Sequence, residues 1–376
     1  MRIFSQRIFS QIAMKTNNPF KFGSVVDDSY FTDRKNELNE IKQALDSKNH
    51  LILISPRRFG KTSLILKSVK NLQKNYIYLD LQLTNSVEEF VSQYLKKIYK
   101  LFPAEKIKAY IKNFRILPQI SLNPTNNELD VSFKFSGDSL PVIEDVLNLL
   151  EQISTENKRT IVILDEFQEI NQFEKGFDKK LRAIIQHHKN INYVFLGSQE
   201  SLMKYIFENK KSAFYHFGQI LQLQKIKDEF FINFLNNGFA TATSNAEFIS
   251  KQILLFTQGH PYYTQQLAYN VWNLLYMKKN APEVVSLAIN ETILSHDYDF
   301  ERLWNTLNLT DRKTLIHLLQ NPDAPFLHQH LNIPTSTLMS SIKRLLINGF
   351  IIKNTKGYEI DDPFFKQWLL NRRKKS

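Results

Sequence analysis

Short, almost wholly apolar runs recur along the first part of the chain, each followed by a stretch of helical period. His50-Leu51-Ile52-Leu53-Ile54 is the first. Tyr76-Ile77-Tyr78-Leu79, Ile161-Val162-Ile163-Leu164, Tyr193-Val194-Phe195-Leu196 and, more weakly, Ile220-Leu221-Gln222-Leu223 follow. Runs without polar alternation suit strands covered on both faces of a parallel sheet. Apolar residues at three- and four-residue intervals predict helices over 62–74, 86–101, 141–157 and 177–189. Buried strands alternating with helices predict an α/β, doubly wound domain. One stretch departs from this rhythm. Between Ile116 and Phe135, alternating residues flank Asn123-Pro124-Thr125-Asn126-Asn127, the pattern of an inserted β-hairpin.

After about residue 228 the strand signal fades, and helices dominate to about 308. The segment 310–371 predicts a helix from Asp311, a short one near Phe326–Leu331, and a longer one opened by Pro334 and Thr335 and ended by Gly349. Phe350-Ile351-Ile352-Lys353 and Tyr358-Glu359-Ile360, joined by Asn354-Thr355-Lys356-Gly357, then read as a hairpin. Three helices and a hairpin make the winged-helix pattern. The predicted division is a tail over 1–18, a core over 19–227, a helical segment over 228–308, and a winged helix with a basic tail over 309–376.

The tail holds a tandem copy, Arg2-Ile3-Phe4-Ser5-Gln6 then Arg7-Ile8-Phe9-Ser10-Gln11. It lacks the apolar core and cleavage site of a secretory signal, and Met14 begins a segment that reads better as a protein start. Residues 1–13 are therefore expected to carry no chemistry.

Composition narrows the partners. Hydrophobic residues make up 43% and charged residues 23%, ordinary globular values. A net charge of +12 draws the chain to polyanions, although a solvated lysine surface explains it equally well. The absence of cysteine excludes disulfides, thiol catalysis and Cys-ligated zinc. No apolar run approaches the roughly 20 residues that span a bilayer, so a soluble, cytoplasmic protein is expected. The 29 Phe are spread through every segment and read as core.

The chemistry centres on Ser55-Pro56-Arg57-Arg58-Phe59-Gly60-Lys61-Thr62-Ser63, which follows the first strand and opens a helix. That is the context of a phosphate-binding loop, in which backbone N–H groups and a helix N-terminus face an anion. Lys61 would reach the β- and γ-phosphates, and Thr62 would ligate Mg²⁺. Ser55 replaces the usual glycine; a serine takes positive φ less cheaply, so a stiffer loop is expected. A strand–turn–helix with an incidental Gly-Lys-Thr is the bland alternative. The third strand ends in Asp165-Glu166, with no other acidic strand end expected nearby. Asp165 would bind Mg²⁺ through water, and Glu166 would act as general base on the attacking water. The fourth strand ends in Gly197-Ser198-Gln199, where Ser198 or Gln199 could contact the γ-phosphate or simply form a turn.

With these residues the chain resembles the archaeal-type ATPase family, a branch of P-loop NTPases close to AAA+ proteins and the multidomain signal-transduction NTPases. Pro19-Phe20-Lys21-Phe22-Gly23 and Phe31-Thr32-Asp33-Arg34-Lys35-Asn36-Glu37-Leu38 resemble its leading segment and the box against the adenine, which brings Arg34 into the site. Leu164-Asp165-Glu166-Phe167-Gln168 resembles its acidic strand end. Gly259-His260-Pro261-Tyr262-Tyr263 resembles the glycine–proline turn of its helical lid, which implies Pro261 near the base. The resemblance implies an ATP hydrolase requiring Mg²⁺, with residues 228–308 as the lid. A nucleotide-driven switch or defence-type sensor of slow turnover is the first reading. A DNA-binding module gated by ATP is the rival, and a scaffold with a decayed site the third.

Other residues weigh less. Arg57 and Arg58 are expected to be solvated. His187-His188 is expected on a polar helix end, without carboxylates at metal-ligand spacing; His328 and His330 are expected at the surface. The C-terminal segment 305–376 carries 11 basic and 5 acidic residues. Its longer helix presents Thr335, Ser336, Thr337, Ser340, Ser341, Lys343 and Arg344, with Lys353, Lys356 and Arg372-Arg373-Lys374-Lys375 nearby in sequence. These suit DNA; a protein-binding or lid-locking winged helix with a solvated tail is the slightly favoured alternative, because the basic residues share no clear face.

Overall fold

The computed structural model describes residues 17–26, 30–123, 125, 128–277, 283–321, 333–354 and 357–374. The predicted short helix near Phe326–Leu331 (with His328 and His330), the tail through Thr16, part of each hairpin turn, Lys356 and Lys375 lie outside them. The chain divides into two compact units. One comprises Arg34–Gln224 with Lys343–Ile352; the other comprises the residues up to Asp33, Lys225–Ile342 and Lys353–Ser376.

In the first unit, all five apolar runs become strands of one parallel sheet: β1 (Leu51–Ile54), β2 (Tyr76–Asp80), β5 (Thr160–Asp165), β6 (Ile191–Gly197) and β7 (Gln219–Gln222). Their order is β2-β5-β6-β1-β7. β1 pairs with β6 on one side and β7 on the other, Leu53 lying opposite both Leu196 and Leu221. Every residue of β1, β5 and β6 is buried, which is why these runs lack polar alternation. Edge strand β7 is mostly exposed, which accounts for its weaker apolar signal.

The insertion is a hairpin of β3 (Gln119–Leu122) and β4 (Leu129–Ser132), with Ile120 opposite Val131. Val131 and Phe133 enter the core, whereas β3 is exposed throughout. Three helices end sooner than their periodicity predicts, Lys61–Asn71 by three residues and two others by four. Leu140–Ile153 stops where Ser154 Oγ pairs with Thr160 Oγ1 at 2.8 Å, and the turn from Thr155 to Lys158 feeds β5. Phe177–Ile185 stops because His188 turns inward: its Nδ1 meets Tyr193 Oη at 2.8 Å and its Nε2 meets Asn148 Oδ1 at 3.0 Å. His188 is thus a bonded core residue, not a residue of a polar helix end.

The second unit is largely helical: Asp228–Phe239, Ala246–Thr257, Pro261–Tyr276, Val284–Ser295, Asp297–Thr306 and Leu309–Gln320. The leading segment packs into it. Phe20 is buried, its ring 4.8 Å from Phe239 and 5.8 Å from Phe234, and Asn18 Nδ2 donates to the Tyr269 carbonyl. The helix Thr335–Ile347 precedes strands β8 (Ile351–Lys353) and β9 (Tyr358–Ile360), which pair, and the helix Pro363–Lys374 follows. Trp368 Nε1 donates to Asp297 Oδ1 at 2.7 Å, anchoring that last helix. Among the described residues no helix is long and apolar enough to cross a membrane, and no cluster of three or more His, Asp or Glu suits a metal ion.

Candidate functional site

β1 delivers the chain at its carboxyl end into the loop Ser55–Gly60, and the helix Lys61–Asn71 leaves from it. Strand carboxyl ends in an open parallel sheet are where such folds bind ligands. The loop bends at Arg58 (φ 66°) and Gly60 (φ 85°), not at Ser55. Ser55 therefore does not take the positive φ for which a glycine would have been easier. Ser55 continues β1 instead, its N–H donating to the Gly197 carbonyl at 3.3 Å. Gly60 is needed for its left-handed backbone rather than for crowding, since a Cβ there would meet nothing within 4 Å.

Lys61 is buried, and its Nζ donates to the carbonyls of Ser55 and Pro56, each at 3.2 Å. Burial lowers its pKa, while the carboxylates of Glu166 and Asp165 work against that shift and Arg57 adds to it. Phe59 and Ser63 are buried; Arg57 and Arg58 are exposed, as expected.

Thr62 starts the helix and meets the end of β5. Its Oγ1 donates to Asp165 Oδ2 at 2.9 Å. Asp165 is buried and held by two further donors: Tyr78 Oη on Oδ2 at 2.7 Å, and the Glu166 N–H on Oδ1 at 2.9 Å. Glu166 itself has φ 52°, a left-handed turn that ends the strand and swings its side chain away from the strand direction. Its Oε2 accepts from Ser198 Oγ at 2.6 Å and from Gln168 Nε2 at 2.5 Å. One bonded chain thus links the loop helix, the end of β5 and the end of β6. Gln199, next in sequence, caps the helix Glu200–Glu208 through its carbonyl, which accepts from the Leu202 and Met203 N–H groups.

Two participants have no counterpart in the sequence reading. Tyr78 belongs to an apolar run, yet its hydroxyl bonds Asp165; burial and then the Asp165 charge push its pKa upward. Asp80 ends β2 directly opposite Asp165, contrary to the expectation of a single acidic strand end. Burial raises the Asp80 pKa, the Gln82 N–H opposes that, and the charges of Asp165 and Glu166 raise it further. The available signal was the fifth residue of the Tyr76 run, the first polar group after an apolar strand.

Arg34 is buried at the start of the helix Lys35–Asp46. Its guanidinium donates to Glu37 Oε1 at 2.7 Å, to the Gln224 carbonyl at 2.7 Å and, at 3.5 Å, to the Phe59 carbonyl, so it braces the loop from behind. Pro261 lies in the helical unit as the first residue of Pro261–Tyr276. Before it, Gly259 (φ 70°) leaves no room for a side chain: a Cβ would stand 2.1 Å from the Ile226 carbonyl oxygen.

A sequence family described as an ATPase domain predominantly from Archaea matches residues 31–267. An uncharacterised protein of Methanocaldococcus jannaschii is 25% identical over 350 residues, 89% of this chain and 67% of that protein. An uncharacterised ATP-binding protein of the same organism is 30% identical over 197 residues, 46% of each. The chain therefore spans about two thirds of the first relative and under half of the second. Among solved structures, a Walker-type ATPase of Pyrococcus abyssi superposes with TM-score 0.66 at 16% identity, covering 93% of this chain and 99% of that one. The ORC2 protein of Aeropyrum pernix, solved with ADPNP and ADP, gives 0.56 at 13%, covering 95% and 100%. At these identities the likeness is one of fold.

Proposed function

The chain belongs to the archaeal-type P-loop ATPase family, and on that premise we propose that it binds ATP with Mg²⁺ at the Ser55–Ser63 loop and hydrolyses it. The residues suit both groups. The loop N–H groups and the amino end of the helix Lys61–Asn71 offer an anion nest. Lys61 rests on two backbone carbonyls, acceptors it can exchange for phosphate oxygens. Thr62 and Asp165 would hold Mg²⁺, hard oxygen donors being what that ion prefers. When bound, Mg²⁺ would neutralise charge on the phosphate oxygens. Ser198 and Gln199 are the proposed γ-phosphate contacts, and Arg34, which bonds the Phe59 carbonyl, the proposed outer part of the nucleotide site.

The observation that carries this reading is the hydrogen-bonded chain Thr62–Asp165–Glu166–Ser198. It holds the proposed base next to the proposed Mg²⁺ residues. Glu166 would take the proton of the attacking water on its carboxylate, with Gln168 still holding Oε2 once Ser198 turns toward phosphate. Glu166→Gln keeps size and hydrogen bonding but cannot accept the proton. ATP should still bind, and turnover should fall by roughly a hundredfold or more. Turnover at the parent rate would show that Glu166 is not the base.

The second part of the proposal is a nucleotide-driven switch, in which loss of the γ-phosphate is transmitted to a helical lid (228–308) and a winged helix (309–376). Limited proteolysis of the Glu166→Gln variant should cut 228–376 differently with ATP and with ADP; identical patterns would sink the switch. A DNA-binding role is kept as a second reading for one reason. The helix Thr335–Ile347 buries Leu338, Ser341, Ile342 and Leu345 while exposing Thr335, Ser336, Thr337, Ser340, Lys343 and Arg344. Retardation of duplex DNA in a gel tests it.

A further inference from the structure

We propose that Asp80 is a specificity-determining residue of this site: it disfavours a bare nucleoside triphosphate and so makes the site select the divalent-cation complex. The inference rests on the nucleotide reading of the Ser55–Ser63 loop. β2 and β5 run parallel with Tyr78 opposite Ile163 and Asp80 opposite Asp165, on backbones about 4.8 Å apart. Residues two apart on a strand share a face. Tyr78 reaches Asp165 with a 2.7 Å hydrogen bond, so Asp80 stands on the face that carries Asp165 and meets Thr62.

Among the described residues no cation pairs with Asp80. Its Oδ1 accepts the Gln82 N–H at 3.0 Å, which caps the short helix Leu81–Leu83. Asp165 likewise receives only neutral donors, from Thr62, Tyr78 and the Glu166 backbone. Three carboxylates, Asp80, Asp165 and Glu166, therefore gather at the end of β2 and β5, and the buried Lys61 faces two of them, Asp165 and Glu166.

Asp165 and Glu166 have proposed tasks in cation binding and proton transfer. Asp80 has neither, yet its charge repels whatever anion enters. Coulomb repulsion scales with the product of charges, so a bare triphosphate near four negative charges is repelled about twice as strongly as its complex with a dication. A wild-type Asp80 thus widens the gap between the two forms of the nucleotide.

Competition binding of the full chain against a fluorescent ATP analogue, in EDTA and in excess Mg²⁺, tests this. Asp80→Asn keeps the oxygen that accepts from Gln82 and removes the charge. Affinity for ATP in EDTA should rise about tenfold while affinity in Mg²⁺ changes by less than about threefold. Unchanged affinity in EDTA overturns the proposal, whichever way the Mg²⁺ value moves. Should Asp80→Asn fail to fold, as read by thermal unfolding, Asp80→Ser carries the same charge change with a smaller capping oxygen. Lys61→Ala is the control on the underlying reading. If it leaves ATP binding intact in both buffers, the loop is not the nucleotide site; if it abolishes binding while Asp80→Asn changes nothing in EDTA, only the role of Asp80 fails.

Discussion

Two buried histidines make a residue-level test that needs no nucleotide. His50 and His188 lie beside Tyr193, His50 Nδ1 accepting its backbone N–H at 3.2 Å and His188 Nδ1 meeting its hydroxyl at 2.8 Å. Burial lowers both pKa values to about 4, helped for His50 by the Arg182 charge and for His188 by the charges of His50 and His187. The unfolded chain titrates them near 6.5, so between pH 6.5 and 4 it binds protons that the folded protein refuses. Stability is fully present above pH 6.5 and falls on acidification through that window, by about 1.4 kcal/mol per pH unit for each histidine. His188→Asn should flatten the slope of chemical unfolding free energy against pH in this range. An unchanged slope would mean that the histidine is solvated. The same residue shows what sequence could not say. Lys61, Thr62, Asp165 and Glu166 were legible because loop and strand end are local patterns; the burial of His188, the bond from Tyr78 and the place of Asp80 opposite Asp165 are set by residues far away in sequence.

Among elements, the sheet was legible and the helix ends were not. The five apolar runs are the five strands because burial on both faces leaves no place for polar side chains. Their spatial order could not be read from them, and it is the neighbour relation of β2 and β5 that sets Asp80 against Asp165. The hairpin over Gln119–Ser132 was legible from alternation, although only β4 supplies core residues. At the carboxyl end, one residue of the basic tail has partners inside the protein. Arg372 bonds Glu301 and lies over the Trp368 ring at 5.2 Å, so this part of the basic tail is engaged within its own unit. A DNA contact would then fall to the exposed face of Thr335–Ile347. If duplex DNA binds, Lys343→Ala with Arg344→Ala should reduce the slope of log affinity against log salt by about one to two. No gel retardation at low salt, with or without ATP, would remove DNA as a partner of this helix.

The whole molecule comprises a parallel sheet whose strand ends hold the loop, the acidic end of β5 and Ser198, and a largely helical unit that receives the leading segment through Phe20. What it does with ATP depends first on whether the loop binds it. Lys61 is the side chain that decides this, being buried at the loop with two carbonyl acceptors and facing Asp165 and Glu166. Titration calorimetry of ATP with Mg²⁺ into the wild-type chain and into Lys61→Ala, both checked for equal thermal unfolding, is the direct measurement. Saturable binding to the wild type that is lost or weakened by at least about a hundredfold in the variant is the expected result, since an ion-paired lysine at a phosphate contributes about 3 kcal/mol. Equal affinity in the two proteins would contradict the account.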